Sequence, residues 1–144
     1  MPRGNYLKSG ALSEEGIHKA IMDWVRLHPS IVKLVMHFPN EGKRTPSYGR
    51  MMKDLGMRAG VSDLFISMAR HGYHGAWIEF KTPTGVVSPA QKAFLLDMKQ
   101  QGYYTVVCRS IEDGIKIIQR YCFADQKGIS ESSNSNCSDC AFVS

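Results

Sequence analysis

Asp63, Glu79 and Lys81 are the residues whose types and spacing point most directly to chemistry. Glu79 and Lys81 are two apart in the segment Trp77-Ile-Glu-Phe-Lys-Thr-Pro83. On a strand that spacing puts both side chains on one face, roughly 6–7 Å apart along the backbone. Asp63 opens an earlier apolar run, entered through the glycine turn of Gly60-Val-Ser-Asp63. If the two runs form an antiparallel hairpin, the start of the first lies beside the end of the second. Two carboxylates and an ammonium then meet at one end of the hairpin. Hard oxygen ligands of this kind suit Mg²⁺ or Mn²⁺, which keep open positions for water and phosphate oxygens. A neighbouring lysine can orient or deprotonate a water and offset charge on a phosphate. The same pattern also describes an ordinary solvated cross-strand pair.

The elements that must position these residues are legible from pattern. Ser13 reads as an N-cap, followed by acids and then Ile17, Ile21, Trp24 and Val25 at helical spacing, with His28-Pro29 as the stop. Ile31 to Phe38 reads as a strand, Pro39 to Pro46 as a loop, and Tyr48 to Arg58 as a short basic helix closed near Gly56 or Gly60. Asp63–Met68 and Ala76–Lys81 read as strands joined by His71-Gly-Tyr-His-Gly75, whose two histidines read as surface residues. Ser88, Pro89 and Gln91 open a helix as a capping box with proline at its first position; Ala93, Leu95, Leu96 and Met98 supply apolar surface, and Gly102 stops it. Tyr103–Cys108 is a further strand, and Ser110 caps a last helix carrying Ile111, Ile115, Ile117 and Ile118. The predicted order is α-β-α-β-β-α-β-α, an α/β domain with a mixed sheet flanked by helices.

The stretch from Glu41 to Arg58 sets Lys43, Arg44, Arg50, Lys53 and Arg58 against Glu41 and Asp54, a net of +3. With Tyr48 and several glycines interleaved, it is a candidate for lying along phosphates, or else an ordinary solvated face. Cys137 and Cys140 have zinc-knuckle spacing but lack a second ligand pair.

Gly60-Val-Ser-Asp-Leu-Phe65, Ile78-Glu-Phe-Lys81, Ser88-Pro-Ala-Gln91 and Gly102-Tyr103 together resemble the VRR-NUC domain, a family of the PD-(D/E)XK nuclease superfamily. The resemblance runs from about Ser13 to Tyr121, with Ser62 standing where the family has proline. It implies a restriction-endonuclease-like core and a Mg²⁺- or Mn²⁺-dependent phosphodiesterase acting on DNA. Asp63 and Glu79 would be metal ligands and Lys81 the catalytic lysine, with the backbone carbonyl of Phe80 as a further ligand. The family's acid at the start of its first helix falls on Glu14, which shares a helix face with Ile17, Ile21 and Val25 while Glu15 points away. Glu14 could equally serve the helix dipole. The family carries a glutamine near its active site where Gln91 stands, which makes Gln91 a support residue beside its capping role. Small stand-alone phage and bacterial members cut branched DNA, such as four-way junctions, as homodimers.

Length and composition are consistent with this reading. The chain has 144 residues, 43% hydrophobic and 22% charged, which fits one globular domain and excludes fibrous and wholly disordered classes. We expect a domain over residues 13–122, an arm over 1–12 and a polar, disordered tail over 123–144. A net charge of +5 suggests an anionic partner. Apolar runs are too short for a membrane span, the first eight residues lack a signal-peptide core, and scattered cysteines suit a reducing cytoplasm, bacterial or phage-infected. The expected function is therefore a structure-specific DNA endonuclease. A restriction-like or flap endonuclease is the alternative within the enzyme class, and a non-catalytic DNA-binding module the alternative outside it.

Overall fold

A computed structural model describes residues 12–38 and 45–125. Lys43, Arg44, Cys137 and Cys140, and all but the last residue of the expected N-terminal arm, lie outside the described residues. The elements are α1 (Glu14–Arg26), α2 (Pro29–Val32), β1 (Val35–His37), α3 (Pro46–Asp54), β2 (Leu64–Ile66), β3 (Ala76–Phe80), α4 (Pro89–Gln100), β4 (Tyr104–Cys108) and α5 (Ile111–Phe123). The four strands lie in sequence order, β1-β2-β3-β4. The first two pairings are antiparallel, and β3 pairs with β4 in parallel through the α4 crossover. The sheet is mixed and flanked by helices, as the order of elements predicts.

The caps explain where the helices start. Ser13 Oγ accepts from Gly16 N, Ser110 Oγ from Asp113 N, and Ser88 with Gln91 closes a full capping box on α4. Each satisfies backbone N–H groups that the first helical turn leaves without partners. Gly102 follows the C-cap of α4 with φ +85°, a left-handed conformation that glycine adopts without penalty.

One alternate face of the sheet carries Leu64, Ile66, Ala76, Ile78 and Phe80, all fully buried. They pack with Ile17, Ile21 and Val25 of α1 and with Ile118, Tyr121 and Cys122 of α5. Burying each of the larger side chains stabilises the fold by roughly 1.5–3 kcal/mol. A smaller cluster of Val87, Leu95 and Val107, with Trp77 against it, lies beneath α4. Gly60, with φ +81°, packs so closely on the first turn of α4 that a Cβ would stand 2.4 Å from the Ala90 carbonyl. That contact fixes the loop leading into Asp63.

Several boundaries differ from the expectation. The region read as one strand from Ile31 to Phe38 begins instead as the helical turn α2, and only Val35–His37 pairs with β2. Proline at a first helical position suits such a turn, and Ile31 and Val32 both donate to the His28 carbonyl. The buried Ile31 is accommodated there despite its β-branching. Helix α3 ends at Asp54 rather than Arg58, where Gly56 turns with φ +87°. In α4, Phe94 and Leu95 are the buried residues, whereas Ala93 is exposed. His71 is not a free surface residue: its Nε2 lies 3.0 Å from the Tyr121 carbonyl and its Nδ1 is buried.

Candidate active site

The hairpin register sets Leu64 opposite Ile78, so Asp63 reaches the end of β3. Its Oδ2 accepts a 2.9 Å hydrogen bond from Phe80 N. The strand thus tethers the first carboxylate to the backbone between Glu79 and Lys81. Glu79 and Lys81 are both almost wholly buried, at 1% and 4% exposure. Lys81 Nζ stands 3.2 Å from Glu79 Oε1 and 3.2 Å from Glu14 Oε2. Glu14 reaches the site because it heads the inward face of α1, the face that buries Ile17, Ile21 and Val25. Its side chain is 31% exposed, so the site opens to solvent on the α1 side.

Gln91 lies on the α4 side. Its Oε1 accepts from Ser88 N at 2.9 Å, while its Nε2 donates to Glu79 Oε1. The two ends of one amide thus perform both the capping and the contact with Glu79. The other Glu79 oxygen, Oε2, is buried with no hydrogen-bond partner among the described residues.

The electrostatics follow from this burial. Desolvation, with the Asp63 charge adding to it, pushes the Glu79 carboxyl up to about 8, against the opposing pull of Lys81. Burial works against the Lys81 ammonium, but Glu79 and Glu14 outweigh it and hold its pKa above the usual lysine value. Lys81 is therefore the cation that two carboxylates share. Among the described residues no group of three or more His, Cys, Asp or Glu is gathered as a ready metal cage.

Of the expected basic strip, Arg50 and Lys53 are exposed on α3, a helix that buries no side chain. Arg58 has intramolecular partners: it pairs with Asp97 and stacks 5.5 Å over the Phe94 ring, tying the strip to α4. Two features escaped the sequence reading. His18 and His37 meet edge-to-face beside Phe80, with ring centroids 4.3 Å apart. Burial, and secondarily His37, push His18 down to about 4. The i, i+4 spacing of Glu14 and His18 was the available signal for the first. The second, Arg109, contacts the loop after Lys81, and its isolated position at a strand end gave no signal.

No helix among the described residues is long and apolar enough to cross a membrane. The family model of the VRR-NUC domain matches residues 12–112. A solved structure of a VRR-NUC domain protein is 28% identical, covers 81% of this chain and 93% of its own, and superposes with a TM-score of 0.71. No curated protein matches. With the family model matched over most of the chain and a solved VRR-NUC domain protein sharing its fold, the chain belongs to the VRR-NUC family of nuclease-type domains.

Proposed function

We propose that this protein is a Mg²⁺- or Mn²⁺-dependent DNA endonuclease that hydrolyses phosphodiester bonds in branched DNA, such as four-way junctions, as a homodimer. The observation that carries the proposal is the meeting of Glu14, Glu79 and Lys81 at the end of β3, where Asp63 is tied to the adjoining backbone. The donor set fits a hard divalent ion. Glu79 offers a buried oxygen with no hydrogen-bond partner among the described residues, and the raised pKa of its carboxyl marks a place where added positive charge is favourable. Asp63, Glu79, Glu14 and the Phe80 carbonyl would hold the ion. Once bound, it would supply Lewis acidity to the scissile phosphate and a more acidic water.

The chain's own residues supply the rest. Lys81, held as an ammonium, offsets negative charge developing on the phosphate. Gln91 and Lys81 both engage Oε1 of Glu79, and Oε2 keeps no hydrogen-bond partner among the described residues. Asp63 holds Phe80 N, which sets the orientation of the strand end. Lys43, Arg44, Arg50, Lys53 and Arg58 would lie along the DNA backbone, where each phosphate contact adds to the salt dependence of binding. A homodimer would supply the two active sites that symmetric cleavage of two strands calls for, since one small domain carries one.

A substrate panel tests the proposal. Labelled junction, flap and duplex DNA are incubated with the full chain in Mg²⁺, Mn²⁺ or EDTA, and the protein is sized by light scattering. We expect junction cleavage with either ion, none in EDTA, and the mass of a dimer. Preferential cutting of flap or linear duplex would move the assignment to the flap or restriction-like alternative. Binding without cutting in any metal would leave a DNA-binding module.

A further inference from the structure

Residues 82–87 run directly from Lys81 to Ser88, the N-cap of α4, and so join two parts of the candidate site. Arg109, the residue after β4, holds this strap by its backbone. Its Nη1 donates to the carbonyls of Gly85 at 2.7 Å, Thr82 at 2.9 Å and Pro83 at 3.4 Å. Within the strap, Gly85 N donates to Thr82 O at 3.1 Å, closing a tight turn. At the far end Val87 is buried under α4, while Val86 between the anchors is 81% exposed. The held part of the strap lies directly against Glu14. A Cβ on Gly85 would stand 3.2 Å from Glu14 Oε1 and 2.9 Å from Thr82 Oγ1.

We propose that Arg109 is a positioning residue for the candidate cleavage site, acting through the strap on Glu14. The inference rests on the nuclease reading above. A guanidinium suits the task because it stays charged and its rigid plane aims Nη1, whose two N–H groups are shared among the three carbonyls; a lysine ammonium on its flexible stem is aimed less firmly. The strap has little of its own to keep it in place, since only Val87 is buried apolar anchorage and its middle is exposed. Releasing its three carbonyls therefore frees the segment that abuts Glu14 and leaves the sheet intact. Nη1 of Arg109 is thus committed to the strap's backbone carbonyls.

The test uses the full chain with Arg109→Gln, Arg109→Lys and Gly85→Ala. Hydrogen exchange reads the strap, calorimetric titration with Mn²⁺ alone reads the carboxylates, and junction cleavage is split into kcat and KM. For Arg109→Gln we expect faster exchange in residues 82–88 with β3 and β4 still protected, about tenfold weaker Mn²⁺ binding, a comparable or larger fall in kcat, and KM within about twofold. Arg109→Lys should recover part of the loss. Gly85→Ala, whose Cβ crowds both Thr82 and Glu14 while leaving Arg109 in place, should weaken Mn²⁺ binding. Unchanged exchange in Arg109→Gln, or a rise in KM with kcat intact, would overturn the proposal. A wild-type chain that neither binds Mn²⁺ nor cuts DNA would instead overturn the nuclease reading. Strap exchange that still depends on Arg109 would then reduce the clamp to a fold element.

Discussion

Gln91 and Glu79 are joined by a hydrogen bond that makes the first turn of α4 part of the candidate site. The same glutamine closes the capping box on Ser88, so helix start and carboxylate orientation depend on one side chain. The same Glu79 oxygen, Oε1, thereby receives both the Gln91 amide and the Lys81 ammonium.

The two duties of Gln91 are separable. Gln91→Ala should lose both, lowering stability by about 1 kcal/mol through the cap and lowering kcat about tenfold through Glu79. Gln91→Glu keeps an acceptor that can complete a capping box but cannot donate to Glu79, and it adds a second negative charge there. A kept helix start with a larger activity loss than Gln91→Ala is the expected result. Equal activity in Gln91→Glu and wild type would remove Gln91 from the site.

Glu79 gives the apoprotein a pH dependence. Its folded pKa, about 8, stands above the ordinary 4.5, so the folded state binds the extra proton between those values. The stabilisation from the neutral form is complete below about pH 4.5 and is lost as pH rises through about 8. Denaturant unfolding of the metal-free wild type and of Glu79→Gln across that range measures the loss. The stability difference should shift in favour of Glu79→Gln as pH rises, and a difference independent of pH would contradict the assignment.

Ser62 is fully buried, and its hydroxyl has no hydrogen-bond partner among the described residues. Removing a buried, unpaired hydroxyl removes a desolvation cost. Ser62→Ala should therefore unfold at higher denaturant concentration, by about 1 kcal/mol, with cleavage unaltered. A clear destabilisation would show that the hydroxyl has a partner, such as water, in solution.

Much of the fold was legible because its signals are local. Ser13, Ser88 and Ser110 mark helix starts through side chains that meet the next turn, and the short, mostly apolar run Ala76–Phe80 marks a strand that is buried at every position but Trp77. Asp63, Glu79 and Lys81 could be brought together from hairpin geometry alone, since register ties the strand ends. Ile31 was misread because strand propensity competes there with a proline-started turn, and tertiary burial settles the outcome. Arg109 was invisible for a different reason. Its partners are backbone carbonyls 24 to 27 residues away, and carbonyls carry no sequence signature. The partial neutralisation of Glu79 likewise depends on burial that no linear pattern reports.

The most direct measurement is cleavage of a labelled four-way junction by wild type and Lys81→Met side by side in Mn²⁺ and in EDTA, with thermal unfolding of both proteins as the control for folding. Wild type should cut in Mn²⁺ and not in EDTA, and Lys81→Met should lose at least about 100-fold while it remains folded. Cleavage by Lys81→Met at the wild-type rate would contradict the site at the end of β3, and a folded wild type that leaves the junction intact in Mn²⁺ would contradict the proposed activity.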